Sequence, residues 1–555
     1  MTTSTATRPA VSDADGTAPT DFDTVVIGAG FGGLRMLHEL RQLGLSVKVL
    51  EAGSDVGGTW YWNRYPGART DTESWAYIMN FSEELKADWV WSERYPGQAE
   101  VERYLQHVAD RFDMRRDIQF NSRVTAAIYD DATNRWTITT EAGQSFTCTY
   151  LVSASGVLSV GIDPPFPGLD SFTGQWFQTS SWPKQPVDFT GKRVAVVGTG
   201  ATGVQVIPEV AHTAAHVTVF QRTPNYVIPA RNHALTDAQR AEVQRDYDKI
   251  WEKSRAQVFA FPMNPAEHAM TDLRPDQQQR VLEAGWETGG FRFVFETFND
   301  LLVNEESNQI AAEFIRNKIR TIVKDPATAE LLCPNYPLFA KRPPLGHFYY
   351  ETLNRDNVTL VDVRDNPIRE VTPRGLRTGT DEYEFDIIIF AVGFDVGTGA
   401  LSHIDLRGSG GQTITEKWAA GPRTHLGIGV DGFPNMFMIS GPQSAIANIP
   451  VIIDNTVDWI GKTITFMRQH GYDRMEPTPE ACAQWQEQCN NDLDATILAS
   501  GEEVGSYFFG ANIPGKPRAA VFYFGGAARY MQFCTDVVDS DFKGISFSAF
   551  SESTT

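Results

Sequence analysis

Two glycine-rich turns hold the most specific chemistry in this chain. The first, VVIGAGFGGL, sets Gly28, Gly30 and Gly33 in GxGxxG spacing, and an acid, Glu51, follows roughly 20 residues on. The second, VAVVGTGATGV, carries Gly198, Gly200, Thr202 and Gly203, and there the same distance ends at Arg222 and Thr223. A carboxylate at that distance accepts hydrogen bonds from a ribose diol, whereas a guanidinium suits a 2′-phosphate. The glycines let a pyrophosphate approach the backbone, and the helix that follows offers it an electropositive N-terminus. One such turn is weak support for a nucleotide site. Two, each after a strand and each with a charged residue at the right distance, predict FAD at the first and NADPH at the second. Sites of that kind in one chain serve hydride transfer to a flavin.

Three further stretches concentrate reactive side chains. GGTWYWNRYPGARTD, from Gly57 to Asp71, packs polar and aromatic residues more densely than a core tolerates without partners. Read alone, it is equally an ordered surface loop in which Asp71 caps the turn that follows. FTGQWFQTSSWPK, from Phe172 to Lys184, precedes the second glycine-turn strand. FAKRPP places Lys341 and Arg342 before two prolines, a pattern that more often marks a solvated turn than a reactive site.

These residues need elements to position them. Val25–Ile27 reads as a buried strand, Leu34, Leu37 and Leu40 mark a helix ended by Gly44, and Val47–Leu50 is a second parallel strand. Val194–Val197, a helix through Val210 and Val217–Phe220 repeat the plan. Two apolar strands that run into glycine, within Tyr150–Gly156 and Asp386–Asp395, are read as crossovers returning the chain to the flavin sheet. Thr236 with Gln239 forms a capping box that opens a helical stretch. The expected fold is α/β, with two Rossmann-like dinucleotide-binding domains. Residues 1–20 are an expected disordered tail, 21–155 with 392–545 the FAD domain, and 156–391 the NADP domain with a helical insert at 235–335.

Bulk composition excludes several alternatives. A chain of 555 residues with 42% apolar and 21% charged residues has the makeup of a globular enzyme of two or more domains. A net charge of −21 argues against nucleic acid as a partner. Cys148, Cys333, Cys482, Cys489 and Cys534 lack the spacing of a zinc site or redox pair and read as free thiols of a cytoplasmic protein. No apolar run suits a membrane span, no metal cluster is expected, and the chain is expected to be a monomer or weak oligomer.

Taken together, the motifs resemble the type I Baeyer–Villiger monooxygenases, and most of all the cyclohexanone monooxygenase group. Gly58, Trp60, Tyr65, Pro66, Gly67 and Asp71 meet one family pattern. Phe172, Gly174, Trp182 and Pro183 meet the family fingerprint FxGxxxHxxxWP, but Gln178 stands at its histidine. The similarity runs from about Phe22 into the C-terminal region and includes FRFVFETF, YYETLNRDNV and FGANIPGK. The resemblance implies that Arg342 stabilises a negatively charged flavin C4a-peroxide, oriented by Asp71. It implies that Thr59, Trp60 and Asp71 help to bind FAD, and that Lys341, Arg222 and Thr223 hold the NADP 2′-phosphate. The implied reaction uses NADPH and O2 to turn a ketone into an ester or lactone through a Criegee adduct.

Two departures matter. Glutamine at 178 keeps hydrogen-bonding capacity but cannot become cationic; if charge or ring geometry is needed there, the chain would be an uncoupled NADPH oxidase. A flavin monooxygenase of nitrogen or sulfur is the other alternative. Tyr507 stands where close relatives carry a tryptophan that contacts NADP. The expected substrate loop, GPQSAIANIP, has small or aliphatic Ser444, Ala445 and Ile446, which means either room for larger cyclic ketones or a loop that simply packs differently.

Overall fold

The computed structural model describes residues 20–550, so all but Thr20 of the expected tail lies outside them. β1 (Phe22–Ile27), α1 (Phe31–Gln42) and β2 (Val47–Leu50) form the first glycine-turn unit, and β3 (Ser145–Ser153) pairs in parallel with the other side of β1. These strands belong to an eight-stranded sheet that also takes in Val124–Asp130, Arg135–Thr140 and, from far along the chain, Met436–Met438.

A second, five-stranded sheet holds β4 (Gln175–Gln178), β5 (Arg193–Val197), β6 (His216–Gln221), β7 (Val358–Asp362) and β8 (Ile387–Phe390). α2 (Ala201–Ala211) joins β5 to β6. All of its pairings are parallel, in the order β7, β6, β5, β8, β4. The molecule is therefore α/β, with two Rossmann-like units.

Period-two side-chain alternation explains why such apolar strands stay put. In β5, Val194 and Val196 enter one core cluster while Ala195 and Val197 enter another; in β8, Ile387 and Ile389 part from Ile388 and Phe390 in the same way. In β1, Val26 faces one core and Val25 and Ile27 face a second.

One strand reading needs correcting. β8 does not return the chain to the first sheet: it pairs with β4 and β5, so the crossing comes after it. There the outgoing and returning segments run antiparallel. Ile162 N donates to Gly393 O at 3.0 Å, and Asp395 N donates to Val160 O at 2.9 Å.

Between the second unit's strands lie the helices Asp237–Ala256, Pro275–Thr288, Arg292–Phe295, Glu305–Ile322 and Pro326–Leu332. Thr236 and Gln239 exchange both capping-box hydrogen bonds at the start of the first. This helix buries Tyr247 and Trp251 with α1, whereas Leu282, Trp286 and Phe314 join the core of the second sheet. The helical stretch thus touches both cores.

Candidate active site

Each glycine turn is dictated by close approach. Gly28 has φ +100°, and a Cβ there would fall 2.6 Å from the Ala154 carbonyl oxygen; one on Gly33 would fall 1.8 Å from Gly28 O. The second turn repeats this, with Gly198 at φ +111° against Ala391 O (2.4 Å) and Gly203 against Gly198 O (2.1 Å). In both units the first glycine passes under the end of the neighbouring strand, and the third seats the helix on the turn. Gly30 and Gly200 stand at the N-caps of α1 and α2 without a side-chain cap, leaving amide donors for an anion.

The first turn is covered by Gly58, whose added Cβ would lie 2.9 Å from Gly30 Cα. Thr59 and Trp60 open the short helix that follows, and buried Trp60 donates its Nε1 to Tyr77 Oη at 3.1 Å. Glu51 is buried and accepts from Ala29 N and Gly53 N, both at 2.7 Å. Burial raises its pKa against the pull of those amides.

At the second turn the electrostatics reverse. Arg222 is exposed, Thr202 is half-buried, and half-buried Thr223 accepts from Thr199 Oγ1 at 3.1 Å. Lys341 is half-buried, and its pKa is pushed down to about 8 by burial and by the neighbouring Arg222 charge. Among the described residues no carboxylate pairs with either. Two neighbouring cations without a counter-ion could hold an anion such as a phosphate.

Between the units, Asp71 Oδ2 accepts from Arg342 Nη2 at 2.8 Å. The Asp71 side chain is buried and that of Arg342 is about one-third exposed. Burial opposes the guanidinium's charge, but the Asp71 carboxylate, with the Tyr507 and Tyr65 hydroxyls behind it, holds its pKa above the ordinary arginine value. Its guanidinium carbon stands 5.4 Å from the centre of the Phe291 ring, a cation–π distance. Asp71 is not the cap that a surface-loop reading supposes, because Glu73 occupies the N-cap of Ser74–Ala76.

The loop carrying Asp71 leans on α2. Gly67 has φ +82° and no room for a Cβ, which would fall 2.3 Å from Gln205 O; Tyr65 Oη donates to Gln205 Oε1 at 2.8 Å, and Gln205 Nε2 donates to Arg69 O at 3.1 Å. This explains the aromatic-Pro-Gly sequence: it docks the first unit's loop against the helix after the second glycine turn.

The fingerprint residues form a scaffold along one edge. Phe172 and Trp182 are buried, with Trp182 packed against Phe177 at 5.2 Å and Pro183 half-buried after it. A Cβ at Gly174 would fall 2.5 Å from Asp386 O. Gln178, in β4, donates its Nε2 to Ile162 O at 2.8 Å and so ties the second sheet to the outgoing crossover.

The expected substrate loop is less open than its sequence suggests. Ser444 and Ala445 are buried, and the segment is hydrogen-bonded to Val521–Tyr523, with Tyr523 N donating to Ser444 O at 2.9 Å and Ile446 N to Tyr523 O at 3.1 Å. Half-buried Ile446 and Tyr507 pack on the core that contains Phe291. Sequence reading missed Glu73, Arg94, Gln205, Phe291 and Arg292; only the FRFVFETF match pointed toward two of them. The five cysteines are free, and all but half-buried Cys333 are buried.

Two glycine-turn units joined across a charged Asp–Arg contact call for comparison with flavoproteins. A family model described as flavin-binding monooxygenase-like matches residues 23–235. Over 532 residues the chain is 44% identical to a Baeyer–Villiger monooxygenase of Pseudooceanicola batsensis, covering 95% of this chain and 97% of the relative. It is 43% identical over 528 residues to a phenazine N-monooxygenase of Lysobacter antibioticus, covering 95% and 97%. Among solved structures, the NADP+-bound cyclohexanone monooxygenase of Rhodococcus sp. Phi1 aligns with a TM-score of 0.93 at 40% identity, covering 96% of this chain and all of that one. The chain belongs to the Baeyer–Villiger monooxygenase family. No helix of the described residues is long and apolar enough to cross a membrane.

Proposed function

We propose that the protein is a FAD- and NADPH-dependent Baeyer–Villiger monooxygenase. Ketone, O2, NADPH and a proton give ester (or, from a cyclic ketone, lactone), NADP+ and water. The observation that carries this reading is the Asp71–Arg342 contact between the two glycine-turn units, which fixes a partly buried guanidinium in one place.

The residues present suit both cofactors. Gly28, Gly30, Gly33 and Gly58 leave backbone that a pyrophosphate can approach, and Glu51 keeps acceptor capacity for a ribose diol beyond its two amide bonds. Asp71 Oδ1 is buried without a partner, a costly state that a cofactor donor would relieve. Gly198, Gly200, Thr202 and Gly203 are assigned to the NADP pyrophosphate, Arg222, Thr223 and Lys341 to the 2′-phosphate, and Tyr507 to the remainder of NADP.

Bound FAD supplies the acceptor for the nicotinamide hydride and the centre that reacts with O2. The protein then contributes charge and shape. Arg342 offers a cation, fixed by Asp71 and faced by Phe291, to negative charge that develops on oxygen during transfer. Asp71 holds that cation in one orientation, as a hydrogen-bonded carboxylate should. Gln178 is assigned to fixing the crossover through its neutral hydrogen bond to Ile162 O, which supports coupled oxygenation with glutamine at this position.

Ser444, Ala445 and Ile446 are assigned to the ketone side of the site, with half-buried Ile446 the most accessible of the three. Residues 21–155 and 392–545, which carry the first sheet, are assigned to the flavin domain, and 156–391 to the NADP domain with the insert at 235–335. Free thiols and the demand for NADPH favour the cytoplasm, and a monomer or weak oligomer is the assembly we assign.

The test pairs NADPH consumption with product analysis on a panel of cyclic ketones. Lactone close to one per NADPH is expected; hydrogen peroxide alone would overturn the reading. Arg342→Ala should leave anaerobic flavin reduction within about twofold while lowering lactone formation by at least about 100-fold, the cost of losing a preorganised oxyanion contact. Phenazine is the heteroatom control: N-oxide formed with no lactone from any ketone would place the chain with nitrogen oxygenases.

A further inference from the structure

We propose that Glu73 is a positioning residue for oxygen transfer: with Arg292 it sets the place of Phe291, and through it that of Arg342. The inference rests on the function proposed above. Glu73 is almost wholly buried, at 1% exposure, and serves two arginines at once. Oε1 accepts from Arg94 Nε (3.1 Å), Arg94 Nη2 (2.8 Å) and Arg292 Nε (3.0 Å), and Oε2 accepts from Arg292 Nη2 at 3.0 Å. Arg292 is also braced by Glu296 at 2.8 Å, and Arg94 by Thr288 O at 2.9 Å.

The sequence neighbours of these residues make the arrangement informative. Glu73 lies two residues after Asp71, and Arg292 lies next to Phe291. Asp71 bonds to Arg342, and Arg342 lies over the Phe291 ring. The contacts close a ring: Asp71 to Arg342, Arg342 to Phe291, Phe291 along the backbone to Arg292, Arg292 to Glu73, and Glu73 back to Asp71. Each of two short segments supplies one group to the guanidinium and one to the ion pair.

A buried ion pair is a poor way to gain stability, since desolvation consumes most of its Coulomb energy, and an apolar pair of similar volume often serves as well. It is a good way to fix relative position, because bidentate arginine–carboxylate bonds are directional. In this site the distance being fixed is that between Phe291 and Asp71, the two groups that hold the guanidinium from different sides. A carboxylate beneath the helical stretch thus controls where the positive charge sits.

The test uses the FAD-loaded enzyme with NADPH and a cyclic ketone that the wild type oxygenates. Glu73→Gln should lower product formed per NADPH by about tenfold or more, on the scale of misplacing a reacting group by a fraction of an ångström. The electrons should appear as hydrogen peroxide, and anaerobic flavin reduction should stay within about twofold. Phe291→Leu should give a similar loss, and the double variant should be no worse than the worse single one, because both act through Arg342. Arg292→Lys, which keeps the charge but loses the bidentate bond, should retain an intermediate yield.

If Glu73→Gln does not yield holoenzyme, Arg292→Lys and its combination with Phe291→Leu take its place in the same cycle. Losses that multiply, or an unchanged product yield in Glu73→Gln or Arg292→Lys, would overturn the inference. So would a loss of flavin reduction in step with product, the mark of a strut. A wild type that makes no ester would instead overturn the proposed function.

Discussion

Lys341 provides a quantitative test of the 2′-phosphate cradle through pH. In the free protein its pKa is pushed down to about 8, by burial first and by Arg222 second. A phosphate bound between the two cations supplies the missing counter-charge and restores the pKa. The protonated lysine is the form that binds, so affinity is full below about pH 8 and falls as pH rises through that value. At pH 9.5 about 3% of the free protein carries the proton, which predicts a loss of about 30-fold, or about 2 kcal/mol. The assay is titration of NADP+ and NAD+ into oxidised holoenzyme between pH 7 and 9.5, followed by flavin absorbance. The dissociation constant for NADP+ should rise by that factor, while that for NAD+, which lacks the 2′-phosphate, stays level. Lys341→Met should bind NADP+ weakly at pH 7 and show no further rise. Parallel rises for both nucleotides, or a rise that survives Lys341→Met, would refute the assignment.

Other sites answer to other measurements. Gln178→Ala removes the hydrogen bond to Ile162 O, worth about 1 kcal/mol, and should shift NADPH consumption from product toward hydrogen peroxide; Gln178→His, which can donate the same bond, should restore coupling. Gly198→Ala puts a methyl group 2.4 Å from Ala391 O at a φ of +111°, so NADPH reduction of the flavin should be lost while bound FAD and its absorbance spectrum persist. His425 is buried, and burial pushes its pKa down to about 4, below the ordinary value. Its protonation favours the unfolded chain, so stability is full above about pH 6.5 and is lost as pH falls toward 4, by about 2 kcal/mol at pH 5. His425→Phe should flatten the fall in melting temperature between pH 7 and 5.

Much was legible in the sequence because local steric and charge rules carry it. Gly28, Gly33, Gly198 and Gly203 are demanded by backbone contacts within a strand–turn–helix, and that requirement is written in a ten-residue window. Glu51 and Arg222 distinguish the two turns because the next strand must end a nearly constant distance away. The run of β8 declared a buried strand but not its sheet: an apolar strand bounded by Gly393 fits either one, and only its pairing with β4 and β5 decides. Small side chains in a Gly-Pro loop are uninformative about burial; the partner that covers Ser444 and Ala445, Val521–Tyr523, is remote in sequence.

The sequence by itself determined that there are two nucleotide turns, which charge each presents, and that Asp71, Arg342 and Gln178 belong to recognisable patterns. Tertiary structure alone decided how they work together. Asp71 and Arg342 meet across 271 positions of chain, Gln178 finds its acceptor in a crossover, and Glu73 sits between two arginines from separate segments. No periodicity or spacing encodes such meetings. A charge placed in a desolvated site is specified by every segment that packs around it, and those segments come together only when both sheets and the helices between them have closed.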